Sequence, residues 1–222
     1  MAVKLHTAVM LNEVLDYLNL SPGKIIVDAT IGTAGHSEEI LKRISPGGRL
    51  IGIDRDEESL AVCRQRLSGY SPAYEFVHGN FIDLDSILGG LNIKKVDGIL
   101  FDLGISSFQL EDPLRGFSFQ NEGPLDMRLD RSSYISAYDL VNNLNEEEIS
   151  SMLWNFGQER WHNRIARFLV QEREKQPIST TLQLANIVIK SMPNRYRHRY
   201  YSNHPATRTF QAERIAVNRE LE

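Results

Sequence analysis

The chain has 222 residues, the length of one domain or of one domain carrying a sizeable insertion. Its 41% hydrophobic and 24% charged residues suit a globule with a large core and exclude a disulfide-stapled miniprotein, while a net charge of -4 excludes a generally cationic nucleic-acid coat. The longest apolar runs, such as Ala8 to Leu11, are too short for a membrane span or a secretion signal, so the cytoplasm is the expected compartment.

In chain order, Val9 or Leu11 with Val14, Leu15 and Leu18 predicts an amphipathic helix that Ser21-Pro22-Gly23 stops. IIVDAT (25–30), RLIGID (49–54), AYEFVHG (73–79) and VDGILFD (96–102) then read as buried parallel strands, each a short β-rich run ending in a polar or small residue. Between them, HSEEILKRI, EESLAVCRQRL and DLDSILGGL place apolar residues at helical spacing. This alternation predicts an α/β fold with a doubly wound parallel sheet in the order 3-2-1-4. The single cysteine, Cys63, sits in one of these helices and reads as a small buried residue rather than a reactive thiol. No metal-ligand spacing is present.

After Asp102 the pattern changes to a strand-free stretch rich in Ser, Gly, Asp and Arg, running to about Asp130. Helices follow it. Asn145 with Glu148 forms a capping box ahead of Ile149, Met152, Leu153 and Phe156. Trp161, Ile165, Phe168 and Leu169 make a second stripe, and Leu182, Ala185, Ile189 and Met192 a third that Pro193 ends. Residues 103–203 are therefore expected to be an inserted, mostly helical subdomain, with 1–102 and 204–222 forming the sheet domain.

Four places carry chemistry. The turn Asp28-Ala29-Thr30-Ile31-Gly32-Thr33-Ala34-Gly35-His36 leads from the first strand into a helix whose free amides suit an anionic or polar ligand. Its spacing is not GxGxxG, which disfavours a nicotinamide dinucleotide and with it a dehydrogenase. Asp54, at the end of the second strand, is placed to accept both hydroxyls of a ribose, and Phe81, after the third, to cover an adenine. Asp102 ends the fourth strand beside the Gly turn, where a carboxylate can accept a hydrogen bond from an amine under methyl attack. Finally, Arg195, Arg197 and Arg199 alternate with Tyr196, Tyr200 and Tyr201, and Arg208 follows with no acid between, the composition of an RNA-contacting surface. A solvated strand-end acid, a core aromatic, a loop cap and a solvated charged face are the respective alternatives.

Together, DATIGTAGHS, IDRD, GNF, DLGISSFQL, RGFSF, GPLDMRLD and HPATRTFQAERIAVNREL, in this order, resemble the bacterial small-subunit rRNA cytosine-N4 methyltransferases. The resemblance covers essentially the whole chain. It implies a Rossmann-like, S-adenosyl-L-methionine-dependent methyltransferase sheet with a helical substrate-recognition insertion, acting on a cytidine amine in the ribosomal decoding region. It implies that Ala34, Gly35 and His36 contact the cofactor, that Asp54 holds its ribose, that Phe81 lies at its adenine, and that Asp102 and Gln109 complete the site. The implied partner is small-subunit ribosomal RNA or the ribosomal subunit.

Ala34 replaces a glycine of the family, a modest change if its φ is negative, and Phe108 stands where proline is common. The family also continues past Glu222 into a further strand and a Phe-His-Ser-Leu-Glu-Asp segment. The chain is therefore expected to be truncated, catalytically weak, and prone to self-association along the fourth strand. The rival readings are a DNA amino methyltransferase, against which Leu103-Gly104-Ile105 replaces the usual Pro-Pro-aromatic segment, and a noncatalytic cofactor- or RNA-binding module.

Overall fold

The computed structural model describes residues 8–193 and 204–221. The chain divides into two compact units, Met1–Phe108 and Gln109–Glu222.

In the first unit, β1 (Ile25–Asp28), β2 (Arg49–Asp54), β3 (Tyr74–His78) and β4 (Gly98–Leu100) form one parallel sheet in the order β3-β2-β1-β4, as the alternation predicted. Its helices are α1 (Leu11–Tyr17), α2 (Gly35–Ile44), α3 (Glu57–Arg66) and α4 (Leu84–Gly90). Side chains alternate across a strand, so each strand feeds two cores. Ile26 and Leu50 pack with Leu15 of α1, Ile40, Leu41 and Ile44 of α2, and Leu60 and Cys63 of α3. On the opposite face Val27, Ile51 and Ile53 pack with Leu84, Ile87 and Leu88 of α4. Both faces are covered, which is why these strands read as unbroken apolar runs. Gly52 in β2 is required by packing, because a Cβ there would overlap the side chains of Ile31 and Phe76.

β4 is shorter than the run that predicted it. Its ladder to β1 ends where the Leu100 carbonyl accepts the Ala29 amide, and the Asp102 amide then turns to the Thr30 hydroxyl. It is one of the sheet's two edges, and Ile99, Phe101 and Leu103 are 38, 46 and 71% exposed along it.

α5 (Ser107–Glu111) spans the division, and the second unit then holds α6 (Ala137–Asn143), α7 (Glu146–Gly157), α8 (His162–Arg173), α9 (Thr181–Ser191) and α10 (Thr207–Asn218). Among its described residues there is no strand, only an isolated bridge between Pro124 and Thr180. Capping boxes open three helices: Ser136 with Asp139, Asn145 with Glu148, and Thr180 with Gln183. The predicted stripe on α9 is rotated. Leu182 and Ile189 are only half-buried, while Thr181, Leu184, Ala185 and Val188 form the core face, because α9 is apolar on more than one side and packing selects the face.

By its contacts, the segment 204–222 groups with the second unit. α10 packs on α7, where a Cβ on Gly157 would lie 2.5 Å from the Arg208 carbonyl and 3.1 Å from the Ala212 side chain, and its helix belongs to the second unit. The first unit runs to Phe108. No helix among the described residues is long and apolar enough to cross a membrane.

Candidate cofactor and active site

The β1–α2 turn is held from three sides. From β2, Asp54 Oδ2 accepts the Gly32 amide at 2.8 Å while Oδ1 accepts the Asp56 amide at 2.9 Å. From α3, the Cys63 thiol donates to the Gly32 carbonyl at 3.0 Å and Arg66 Nη1 donates to the Thr33 carbonyl at 2.9 Å. From β1, buried Asp28 accepts the Ser37 hydroxyl at 2.6 Å and the Thr30 amide at 3.3 Å, fixing the first turn of α2. Cys63 is thus buried as expected, and burial pushes its thiol up to about 12, so it is a fixed donor rather than a nucleophile.

Burial is also the main influence on the acids. It raises Asp28 to about 6, against the opposing bonds from Ser37 and Thr30. It raises Asp54 above the ordinary carboxylate range, against the amides of Asp56 and Gly32. Asp102 differs, with its side chain 53% exposed at the carboxyl end of the sheet between β1 and β4. Its amide donates to Thr30 Oγ1 at 2.6 Å, which ties it to the same turn. His36, on α2 and 8% exposed at its side chain, directs Nδ1 at Asp102 Oδ2 from 3.8 Å, and its Nε2 lies 2.9 Å from the Val9 carbonyl.

Asp54, Ala34, Gly35, His36 and Asp102 therefore converge through one turn. Ala34 caps α2 at φ 64°, in the left-handed region, so the replacement of glycine is not a neutral one here. Phe81 is half-buried, packs with the α4 core and meets Phe101 edge to face at 5.5 Å between centroids. Gln109 is buried and opens the second unit. Arg195, Arg197 and Arg199 lie outside the described residues. Arg208 is exposed and donates to the Gln158 carbonyl at 2.9 Å, at the end of α7. Sequence reasoning assigned no role to Thr30, Ser37 or Arg66. Their signal was the polar side chains crowded in and facing the Gly turn, which no fixed spacing marks.

These groups fit a nucleoside cofactor. The Asp54 carboxylate accepts the Gly32 and Asp56 amides and, with two oxygens, has lone-pair capacity beyond its backbone partners for a ribose hydroxyl. Gly32 has φ 52°, and a Cβ built on it would meet nothing nearer than the Thr30 carbonyl at 3.9 Å, so the turn is open on that side. A parallel α/β sheet with this turn, an acid at the end of β2 and an exposed carboxylate after β4 is the arrangement of the S-adenosyl-L-methionine-dependent methyltransferases.

Comparison with known proteins narrows the class. The model of the MraW methylase family matches residues 3–222, and the chain belongs to that family. It is 46% identical over 217 residues to the ribosomal RNA small subunit methyltransferase H of Clostridium botulinum (strain 657 / Type Ba4), covering 98% of this chain and 69% of the relative. It is 48% identical over 216 residues to the protein of the same name from Halothermothrix orenii, covering 97% of this chain and 68% of the relative. Among solved structures, a SAM-dependent O-methyltransferase from Thermotoga maritima superposes with a TM-score of 0.33 at 14% identity, over 36% of this chain and 32% of that one.

Proposed function

We propose that the chain methylates the exocyclic N4 amine of a cytidine in the decoding region of small-subunit ribosomal RNA, in the cytoplasm. The bound cofactor supplies an electrophilic methyl on a sulfonium. Asp54 holds the ribose of that cofactor, and the β1–α2 turn receives its remaining polar groups. A cytosine amine is a weak nucleophile because its lone pair is delocalised into the ring, so holding it in line near attack distance is the main contribution the protein makes. Asp102 accepts an N–H of that amine and orients the lone pair. The observation that carries this reading is the position of Asp102, an exposed carboxylate at the sheet's switch point, tied through Thr30 to the cofactor turn. The relatives' names support the substrate class.

The target base must leave its stack to reach such a crevice. We assign Arg195, Arg197, Arg199 and Arg208 to the phosphates that flank it, with the neighbouring tyrosines as stacking surfaces. Transfer of a radiolabelled methyl to small ribosomal subunits lacking the modification, followed by nucleoside digestion, tests the reaction. N4-methylcytidine is the expected product, and Asp102→Asn should lower turnover more than about tenfold with a smaller change in cofactor affinity. Label in any other nucleoside, or none, overturns the assignment. Turnover that survives in Asp102→Asn while cofactor binding collapses makes Asp102 a binding residue only.

A further inference from the structure

His36 occupies an unusual position for a residue whose implied role is only to touch the cofactor. Its Nε2 lies 2.9 Å from the Val9 carbonyl, and a carbonyl only accepts, so the proton of the neutral imidazole belongs on Nε2. Nδ1 is then an acceptor. It faces a second acceptor, Asp102 Oδ2, at 3.8 Å, too far for a direct hydrogen bond. Two acceptors aimed into the same space repel unless a group with two donors lies against both. The ring is not free to turn away. Ser37, the next residue, is bonded to buried Asp28, and the ring itself is almost fully buried. Asp102 is fixed from the other side by its amide bond to Thr30.

We propose that His36 Nδ1 and the Asp102 carboxylate form a paired acceptor for the two N–H groups of the target amine, and that His36 takes the proton the amine loses. The inference rests on the reading of the chain as an amine methyltransferase and adds the destination of the proton. The amine nitrogen bonds the methyl carbon as the carbon–sulfur bond breaks, its electron pair going to sulfur. The nitrogen, now bearing one substituent too many, sheds one N–H proton to His36 Nδ1. The imidazolium so formed faces the Asp102 carboxylate, so the geometry that places two acceptors together before transfer stabilises an ion pair after it. The pair also selects its substrate: a primary amine presents two donors, whereas a ring nitrogen, a carbonyl or a hydroxyl presents at most one.

Two substitutions separate the two ring nitrogens. His36→Gln keeps a donor able to reach the Val9 carbonyl and removes the Nδ1 acceptor. His36→Asn keeps an acceptor near the Nδ1 position but gives up the Val9 bond and the basicity. At saturating cofactor and RNA, both substitutions should lower kcat about 100-fold or more, the usual scale of general-base catalysis, because neither side chain can take the proton. Affinity for S-adenosyl-L-methionine, measured by calorimetry without RNA, should fall far less than kcat in His36→Gln, and a melting curve matching the wild type shows that the fold is intact. A tenfold or greater loss of cofactor affinity with kcat preserved at saturation assigns the two acceptors to the cofactor's own ammonium and overturns the proposal. No change in either quantity makes His36 a tie to Val9 and overturns it too. If the wild-type product is not an N-methylated base, the parent reading fails first, and the nucleoside digest shows that separately.

Discussion

The turn after β1 and the loop between Asp112 and Ser136 are both rich in Gly and polar side chains, yet they use those residues in opposite ways. In the turn, the bonds hold backbone groups in place and leave the carboxylates of Asp54 and Asp102 with lone pairs to offer. In the loop the charges are consumed internally. Arg115 is 1% exposed and donates through Nη2 to the carbonyls of Arg128 and Leu129, at 3.1 and 3.0 Å. Arg128 clasps Asp126 in a two-point bond, 2.8 Å at each oxygen, which holds the Asp126 carboxyl below its usual range despite burial. Asn218 of α10 reaches in to bond the Met127 carbonyl and the Leu129 amide at 2.7 and 2.8 Å. A motif rich in charged residues is thus a site only where its polar groups retain unused capacity. GPLDMRLD is, within the second unit, a brace.

The largest effect expected from breaking this contrast comes from a residue that belongs to neither pattern. Glu213 on α10 is fully buried, and both its oxygens lack a hydrogen-bond partner among the described residues, as does the Thr209 hydroxyl one turn earlier. Burial pushes its carboxyl up to about 8 from 4.5. Between those values the folded state holds a proton that the unfolded state has lost. Stability therefore falls as pH rises through that window and levels off above it. Glu213→Gln removes the titration, so its stability relative to wild type should climb between about pH 5 and 8, by up to the order of 3 to 5 kcal/mol. Parallel denaturation curves for the two proteins across that range would show that the carboxyl finds a partner in solution.

Next in size is Arg115→Met, which keeps the bulk and removes the guanidinium. Two half-buried carbonyls lose their donor, and the stacking over Phe117 at 5.8 Å goes with it, so urea denaturation should show a loss of roughly 2 to 4 kcal/mol. Cofactor affinity, which depends on the sheet unit's turn, should be unchanged under native conditions. A fall in affinity without a fall in stability would make the loop part of the cofactor site and erase the contrast.

Asp54→Ala tests the other side of it. Losing the charged acceptor should weaken S-adenosyl-L-methionine binding by roughly 1.5 to 3 kcal/mol. Because the same carboxylate carries the Gly32 and Asp56 amides, the fold should also lose about 1 kcal/mol. Calorimetry that finds affinity intact would confine Asp54 to the structural half of this role.

What the sequence disclosed follows the same division. The sheet and its order were legible because strands buried on both faces leave continuous apolar runs, and the capping box at Asn145 was legible because it is a local pattern of four residues. The positions of Asp54 and Asp102 followed from the ends of their strands. What stayed hidden depends on contacts distant in sequence. Arg115 bonds residues 13 and 14 positions away, and Asn218 reaches back 91 to Met127. The face that α9 buries and the packing of α10 on α7 are choices among several apolar surfaces that periodicity alone does not rank. Glu213 stands in a helix of mixed charge, and only the fold shows that it is buried.

The smallest effect concerns Ala34, where the sequence supplied a condition and the structure did not meet it. A residue with a Cβ at φ 64° carries a cost of about 1 to 2 kcal/mol, which glycine avoids. Ala34→Gly removes that strain, but Ala34 is fully buried in the core of α1, α2 and α3, so its methyl gives back about 0.8 kcal/mol of burial, and glycine's freer unfolded chain costs a further 0.4 to 1, roughly. The two sides nearly cancel, and stability should stay within about 1 kcal/mol of wild type. The turn itself should respond more than the fold. Ala34 donates its amide to the Ile31 carbonyl at 2.8 Å and closes the turn around Gly32, so glycine at 34 lets the turn open more often before cofactor arrives. The association rate for S-adenosyl-L-methionine should then change more than the melting temperature does. A destabilisation above about 2 kcal/mol would mean that the methyl packs as a core residue in its own right, and that alanine stands there for the core rather than in spite of the turn.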